Sequence, residues 1–156
     1  MLHRLIYASR RARGSQQGLA AMLQSILCAS VRNNLARQLT GLLIAHDGWF
    51  LQALEGPPET VRAAFAAIGM DERHTAPVLL DLSPVEGRAF GRWIMAGRVL
   101  SGLDAGLVTR FGIGGSESLG AAGARALPFM LAVARSNAAS LDAQHDHLTI
   151  PLGRAA

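Results

Sequence analysis

Two side chains of the sequence are suited to passing a proton, because each can both donate and accept a hydrogen bond. Tyr7 carries a phenol and Gln52 carries a carboxamide. Gln52 lies in the apolar run FLQALEG (residues 50–56), where burial costs free energy unless hydrogen-bond partners replace the lost water. A lone buried glutamine is usually satisfied by backbone groups or by a position on an edge strand. Gln52 alone therefore does not indicate a site, and further polar residues near it are needed.

Two further predicted strands each carry a pair of hydrogen-bonding or polarisable side chains on one face. Ser9 shares a face with Tyr7 on the first strand, and Trp93 shares a face with Met95 on the last, because side chains alternate along a strand. If the strands are neighbours, these groups converge with Gln52 on the face that helices cover. A buried tyrosine or tryptophan alone is ordinary core, and methionine fills gaps. Taken together, the polar and polarisable side chains of the three strands are not typical of an ordinary hydrophobic core.

A pair of carboxamides, Asn33-Asn34, ends the first predicted helix. The pair can be a helix C-cap, since asparagine tolerates left-handed backbone. It is also suited to binding an imide edge, in which donors and acceptors alternate. Together with Gln52, the pair indicates a flat heteroaromatic ligand between two helices above a sheet.

The element that positions Gln52 is a predicted hairpin over residues 40–56. Its turn lies at His46-Asp47-Gly48, where Asp-Gly tolerates the positive φ angles of a primed turn. Alternation along the second strand puts Gln52 on the same face as Phe50 and Leu54.

The other predicted elements follow from hydrophobic periodicity and from helix-start signals. The Pro57-Pro58-Glu59 run starts the second helix, whose buried face carries Val61 and Ile68. The remaining elements are strands over 2–9, 78–82 and 92–100 and a helix over 17–31. The order β-α-β-β-α-β-β predicts an α+β, ferredoxin-like sheet with two helices on one face.

The composition shifts toward Gly, Ala and Ser after Leu100. We expect one domain over 1–100 and a helical extension with a tail over 101–156. The extension is predicted to hold a short helix around 103–111 and a second helix over 127–138 with Pro128 in its first turn. These helices would cover the open face of the sheet, and the last dozen residues would be loose. The glycines between them lack the context of a phosphate loop.

Composition limits the function classes. The net charge is +4, but all 15 basic residues are arginine and they are spread along the chain without interleaved aromatics, which disfavours nucleic acid. Cys28 is the single cysteine, and no metal-ligand spacing is present. No apolar run is long enough to cross a membrane, and no signal peptide is evident. The expected compartment is the cytoplasm.

The motifs LIYASR, RNN, TGLL, FLQALEG, DERH and WIM, spread over residues 1–101, resemble the BLUF family of blue-light sensors. The resemblance implies a non-covalently bound flavin, FAD or in some members FMN, with its ring between the two helices. It also implies that Tyr7 gives an electron and a proton to the excited flavin, and that Gln52 relays between the tyrosine and flavin N5/O4. Asn33 and Asn34 would bind the pyrimidine edge.

The resemblance assigns the remaining site residues as well. Trp93 and Met95 match a W-x-M motif that tunes the glutamine's environment. The residues of the DERH motif fall where members of the family contact the ribityl chain or lie close to the flavin. The expected cofactor-binding set is Ser9, Asn33, Asn34, Gln52, Asp71, Arg73 and His74, with no metal.

Two departures from the family pattern stand out. Ala67 replaces a basic residue that some relatives carry four positions before the DERH aspartate, which puts one phosphate contact in question. The segment between Tyr7 and the Asn33-Asn34 pair, which carries residues 10–18, is slightly long for the family. With no catalytic output domain following, the chain resembles the short members, so we expect a sensor and not an enzyme, a homo-oligomer and an unidentified downstream signalling protein.

Three alternatives remain at the level of sequence. An acylphosphatase-like enzyme would use the arginines of 10–14 as an anion-binding loop, but no positioning residue accompanies them. An RNA-binding sheet would need exposed aromatics, and aromatic content is only 5%. A flavin-binding protein without photoactivity would keep the fold and the pocket.

Overall fold

The computed structural model describes residues 1–12, 18–113 and 122–150, apart from the side chains of residues 74 and 76. Its strands are β1 Leu2–Arg11, β2 Thr40–His46, β3 Trp49–Gly56, β4 His74–Val85 and β5 Ala96–Val99. Its α-helices are α1 Leu19–Leu35, α2 Pro58–Gly69, α3 Ala105–Phe111, α4 Gly123–Ser136 and α5 Ala138–Thr149, and a short 3-10 helix, Gly102–Asp104, precedes α3.

The five strands form one sheet in the order β4-β1-β3-β2-β5. All neighbouring strands are antiparallel except β2 and β5, which are parallel. Helices α1 and α2 pack on one face of this sheet. The predicted ferredoxin-like α+β fold is confirmed.

The β2–β3 hairpin turns at Asp47-Gly48, as the sequence predicts. Both residues have positive φ angles, 45° for Asp47 and 83° for Gly48, which is the backbone that a tight primed turn requires. The turn fixes the register of β3, and β3 in turn pairs with β1 so that Tyr7 lies opposite Gln52. A local turn signal thus places the two polar residues side by side.

The two faces of the sheet carry separate apolar cores. The face under α1 and α2 packs strand residues such as Leu43 and Leu54 against helix residues such as Leu27. The opposite face packs strand residues such as Leu51 against Phe129 and Met130 of α4. The prediction that the C-terminal helices cover the open face of the sheet is confirmed.

The described part of the extension contains one α-helix more than predicted. The helix expected over 127–138 begins earlier and breaks at Asn137, which separates α4 from α5. Pro128 consequently lies inside α4 and not in its first turn. The expectation of a loose end from residue 145 is wrong up to Thr149, because His145 and Thr149 are buried in α5. Residues 114–121 of the predicted glycine-rich linker and 151–156 of the tail lie outside the described residues.

Candidate functional site

A cavity of about 750 Å³, measured to include its open mouth, lies between α1, α2 and the sheet. Predicted site residues from several elements line it, namely Tyr7, Asn33, Asn34, Gln52, Asp71 and Arg73. The fold therefore brings together the greater part of a set that is scattered over the sequence.

The inner wall of the cavity carries a hydrogen bond between two buried side chains. The hydroxyl of Tyr7 donates to Oε1 of Gln52, and each residue is only 2% exposed. The Tyr7 ring also packs against Phe65 of α2, with 5.3 Å between ring centroids. The phenol is thus held in place by both its ring and its oxygen.

The same carboxamide has a second partner on its other side. Nε2 of Gln52 donates to Sδ of Met95 at 3.4 Å. A thioether sulfur is a weak acceptor, so this bond holds the amide less firmly than the bond to Tyr7 does. Tyr7, Gln52 and Met95 form a continuous polar chain beside the cavity.

Burial raises the pKa of Tyr7 far above its ordinary value, and the negative charge of Asp71 adds to the shift. Both effects disfavour the phenolate. Tyr7 therefore keeps its proton at neutral pH and presents it to Gln52. The Asp71 charge is itself compensated by Arg73, whose NH2 lies 2.6 Å from Oδ2 of Asp71.

The end of α1 supplies the carboxamides. Asn34 is buried and Asn33 is exposed, and both line the cavity. In the described part of the chain, no side-chain hydrogen bond engages the Asn34 carboxamide. A donor and an acceptor therefore remain available to a ligand. Arg37, which the sequence reasoning missed, also lines the cavity. It lies in the turn that follows α1, which ends at Leu35, so helical spacing gave no signal for it.

Two predicted cofactor-binding residues lie elsewhere or are only partly described. Ser9 is buried on β1 but is not among the cavity-lining residues. His74 begins β4, where its backbone pairs with Arg11. Ala67 lines the cavity at the position where some relatives carry a basic residue.

The prediction that Trp93 shares a face with Met95 and Gln52 is wrong. Trp93 packs in the core on the opposite face, and its Nε1 donates to Oδ1 of Asp142 in α5 at 2.9 Å. The physical reason is that β5 begins only at Ala96. Residues 92–95 are irregular, so the alternation of a strand does not apply to them.

Other classes of site find little support in the described ranges. No group of three or more His, Cys, Asp or Glu side chains there is placed to hold a metal ion. No helix there is long and apolar enough to cross a membrane.

The sheet order, the helix layer and the cavity define an α+β domain with a ligand pocket between two helices. A family model described as sensors of blue light using FAD matches residues 2–96. The chain belongs to this family, the BLUF family, and its members bind flavin. The family is one of blue-light sensors, so the predicted family resemblance is confirmed.

Two named relatives are similar to the N-terminal part of the chain. The photoactivated adenylate cyclase subunit beta of Euglena longa is 34% identical over 68 residues, which are 44% of this chain and 8% of the relative. The blue light- and temperature-regulated antirepressor BluF of Escherichia coli (strain K12) is 33% identical over 72 residues, 45% of this chain and 17% of the relative. The chain thus spans only a small part of the length of both relatives.

Two solved structures are similar over most of both chains. The BlsA photo-activated state has a TM-score of 0.68 and 26% identity and covers 81% of this chain and 95% of that one. The dark-state structure of BlrB, a BLUF protein, has a TM-score of 0.66 and 28% identity, with coverage of 85% and 96%. Both cover more of the chain than the family model does, so the likeness reaches into the helical extension.

Proposed function

We propose that this chain senses blue light through a flavin held in the cavity between α1 and α2, with Tyr7 and Gln52 as its photochemical pair. The observation that carries the proposal is the buried chain from the Tyr7 hydroxyl through the Gln52 carboxamide to Met95 Sδ. Tyr7 and Gln52 line the cavity, and the protein belongs to a flavin-binding family.

The residues of the cavity fit such a group. Apolar side chains of Ile26, Leu43 and Leu54 provide flat walls for a ring, and the free carboxamide of Asn34 suits an imide edge. Asn33 would assist Asn34 in this role. The cofactor proposed is FAD, with FMN as the alternative.

Charged residues near the DERH motif would hold the side chain of the flavin. Asp71 and Arg73 line the cavity and form an ion pair, so each is positioned by the other. Arg37 offers a cation at the lining where Ala67 lacks one. Ser9 and His74 remain proposed members of the set through the family resemblance alone.

A bound flavin excited by blue light would supply a strong one-electron oxidant. Tyr7 would be the electron donor, and its phenolic proton would move along the existing hydrogen bond to Oε1 of Gln52. Without that electron the phenol would be a much stronger acid, which would remove the obstacle that its raised pKa presents in the dark. Return of one electron and one proton to Tyr7 would leave the Gln52 carboxamide rotated or tautomerised.

A rearranged Gln52 no longer offers the same group to Met95. The hydrogen bond from Nε2 to Sδ depends on which end of the amide faces the sulfur. The change would pass through residues 93–97 to the helices of the extension, as a shift between two packings that differ by on the order of a few kcal/mol. Residues 1–100 would thus be the flavin-binding unit, and residues 101–156 would carry the signal to a partner protein within a homo-oligomer.

The test is an absorption spectrum of the purified protein. A bound flavin gives a yellow protein, and a rearranged hydrogen bond to flavin O4 shifts its absorption reversibly to the red after blue light. A yellow protein without a reversible shift would support flavin binding without photoactivity. A colourless protein that takes up no added flavin would contradict the proposal.

A further inference from the structure

Helix α5 holds the irregular segment that carries Met95. The ring nitrogen Nε2 of His145 accepts a hydrogen bond from the backbone N–H of Ile94 at 2.9 Å. Oε1 of Gln144 accepts from the backbone N–H of Gly97, also at 2.9 Å. These two contacts lie on either side of Met95 in the sequence, and both use side chains about 50 residues away.

The backbone N–H groups that donate to α5 have few other possible hydrogen-bond acceptors. β5 is an edge strand that pairs only with β2, and the outward N–H groups of an edge strand need partners. His145 is 6% exposed, so no bulk water replaces it as the acceptor for Ile94. Gln144 therefore completes the hydrogen bonding of this edge at Gly97, and His145 binds the irregular segment just before it at Ile94.

A third contact anchors the same segment one residue earlier. Asp142 accepts from Trp93 Nε1 at 2.9 Å and also pairs with the Arg92 guanidinium. Asp142, Gln144 and His145 thus face residues 92–97 from within one turn of the same helix. The four polar contacts of these three side chains fix the path of the segment, of which residues 92–95 have no regular structure of their own.

The opposite side of the segment leaves Met95 little freedom. The N–H of Gly41 in β2 donates to the Trp93 carbonyl at 3.1 Å. A Cβ atom at Gly41 would lie 2.8 Å from Cε of Met95, so the methionine packs directly on the glycine backbone. A small displacement of the segment away from β2 would therefore move the sulfur.

We propose that Gln144 and His145 are positioning residues of the photochemical site: by holding the backbone on both sides of Met95, they keep its sulfur where Nε2 of Gln52 donates to it. The role rests on the proposed function for its photochemical consequence, but the placement of Met95 is a property of the chain itself. Because coupling between two sites is reciprocal, a change at Gln52 would in turn weaken the hold of α5 on this segment.

The experiment compares matched variants of full-length protein by NMR of methionine methyl groups. Met95 is identified by the signal that Met95→Leu removes. His145→Leu deletes the acceptor, His145→Gln keeps an acceptor at similar reach, and His147→Leu makes the same chemical change on the exposed side of α5. Flavin content and the rate of thermal return after blue light are measured on the same samples.

We expect His145→Leu to move the Met95 signal in the dark by more than its linewidth and to leave flavin bound. It should also change the rate constant of thermal return about five-fold, the factor that corresponds to one typical hydrogen bond. His145→Gln should restore both readouts, and His147→Leu should alter neither.

Two results would overturn the inference: an unmoved Met95 signal in folded His145→Leu, or an equal movement in His147→Leu. If His145→Leu does not fold, Gln144→Leu and Gln144→Glu provide the same comparison at a partly exposed position. A wild type without a reversible red shift would refute the proposed function. The dark-state Met95 signal would still decide whether α5 positions the sulfur.

Discussion

The two faces of the sheet are covered by helices in different ways. Under α1 and α2 the helix layer leaves a cavity, and the strands beneath it carry the hydrogen-bonded pair Tyr7 and Gln52. On the other face α4 packs tightly, and residues such as Phe129 and Met130 are fully buried among aliphatic and aromatic side chains. One face is built to bind, and the other is built to hold the sheet together.

The faces meet at the segment before β5. Trp93 belongs to the closed face and Met95 to the open one, two residues apart. Any movement of this segment changes both cores together. This segment is therefore where a change on one face of the sheet can reach the other face.

Removal of the closed face should have the largest effect. A chain truncated after Leu100 loses α3, α4 and α5 and exposes strand residues such as Leu42 and Leu51 to water. Large exposed apolar patches drive association, so we expect the truncated chain to be insoluble or to have a changed oligomeric state. Light scattering after gel filtration measures the oligomeric state. A truncated chain that stays soluble with the oligomeric state of the full chain would contradict the assignment of the extension.

Phe129→Ala should destabilise the closed face without touching the open one. Phe129 is fully buried and contacts Phe111 edge-on, with 5.9 Å between centroids. Such a cavity lowers the free energy of unfolding by about 3–5 kcal/mol, measurable by urea unfolding. Leu103→Ala is the control, since Leu103 is 93% exposed, and its effect should stay within about 0.5 kcal/mol. Loss of flavin from folded Phe129→Ala would contradict the claim that the closed face can be changed without affecting the open face.

Asn34→Ala should weaken flavin binding on the open face and leave the closed face intact. The variant removes a donor and an acceptor from a buried ligand edge, at a cost of about 1–3 kcal/mol. The dissociation constant should rise roughly 5–150-fold, which flavin titration of the apoprotein measures. Gln24→Ala, on the exposed side of α1, should bind as wild type does. Equal affinities for Asn34→Ala and wild type would remove Asn34 from the site.

Asp104 ties β5 to the junction of α4 and α5. Burial alone would raise its pKa, but hydrogen bonds from Arg98, Ser101 and Asn137 outweigh burial and hold the pKa below 3.8. Because the folded pKa lies below the unfolded value, this carboxylate stabilises the fold above pH 3.8, and the gain is lost as the pH falls through the folded pKa.

Asp104→Asn should therefore be less stable than wild type at neutral pH by about 1–3 kcal/mol. The gap should narrow as the pH drops below 3.8. Urea unfolding over this pH range measures the gap, with the exposed Glu72→Gln as control. A gap that stays constant with pH would argue against an ionised Asp104 as its source.

The sequence predicts the features that depend on local backbone. Asp47-Gly48 requires a tight turn, and alternation from that turn places Gln52 on the same face as Phe50 and Leu54. The predicted end of the first helix is less accurate, because α1 continues through Asn33 and Asn34 to Leu35 and its C-cap is Ala36.

The features that the sequence did not reveal depend on distant contacts. Trp93 faces the closed side because Asp142 of α5 binds its indole and because its segment is not a strand. The break at Asn137 is stabilised by hydrogen bonds of its side chain to Val133 and Asp104. Periodicity cannot predict either one, since both are decided by partners far away in the chain.

The central claim is that Tyr7 and Gln52 act as a pair, and light-minus-dark difference spectra test it most directly. Tyr7→Phe keeps the ring that packs on Phe65 but removes the phenolic proton, and Gln52→Leu keeps the approximate volume but removes both ends of the relay. The account predicts that wild type shows a reversible red shift and that both variants bind flavin without one. A full red shift in Gln52→Leu would contradict it.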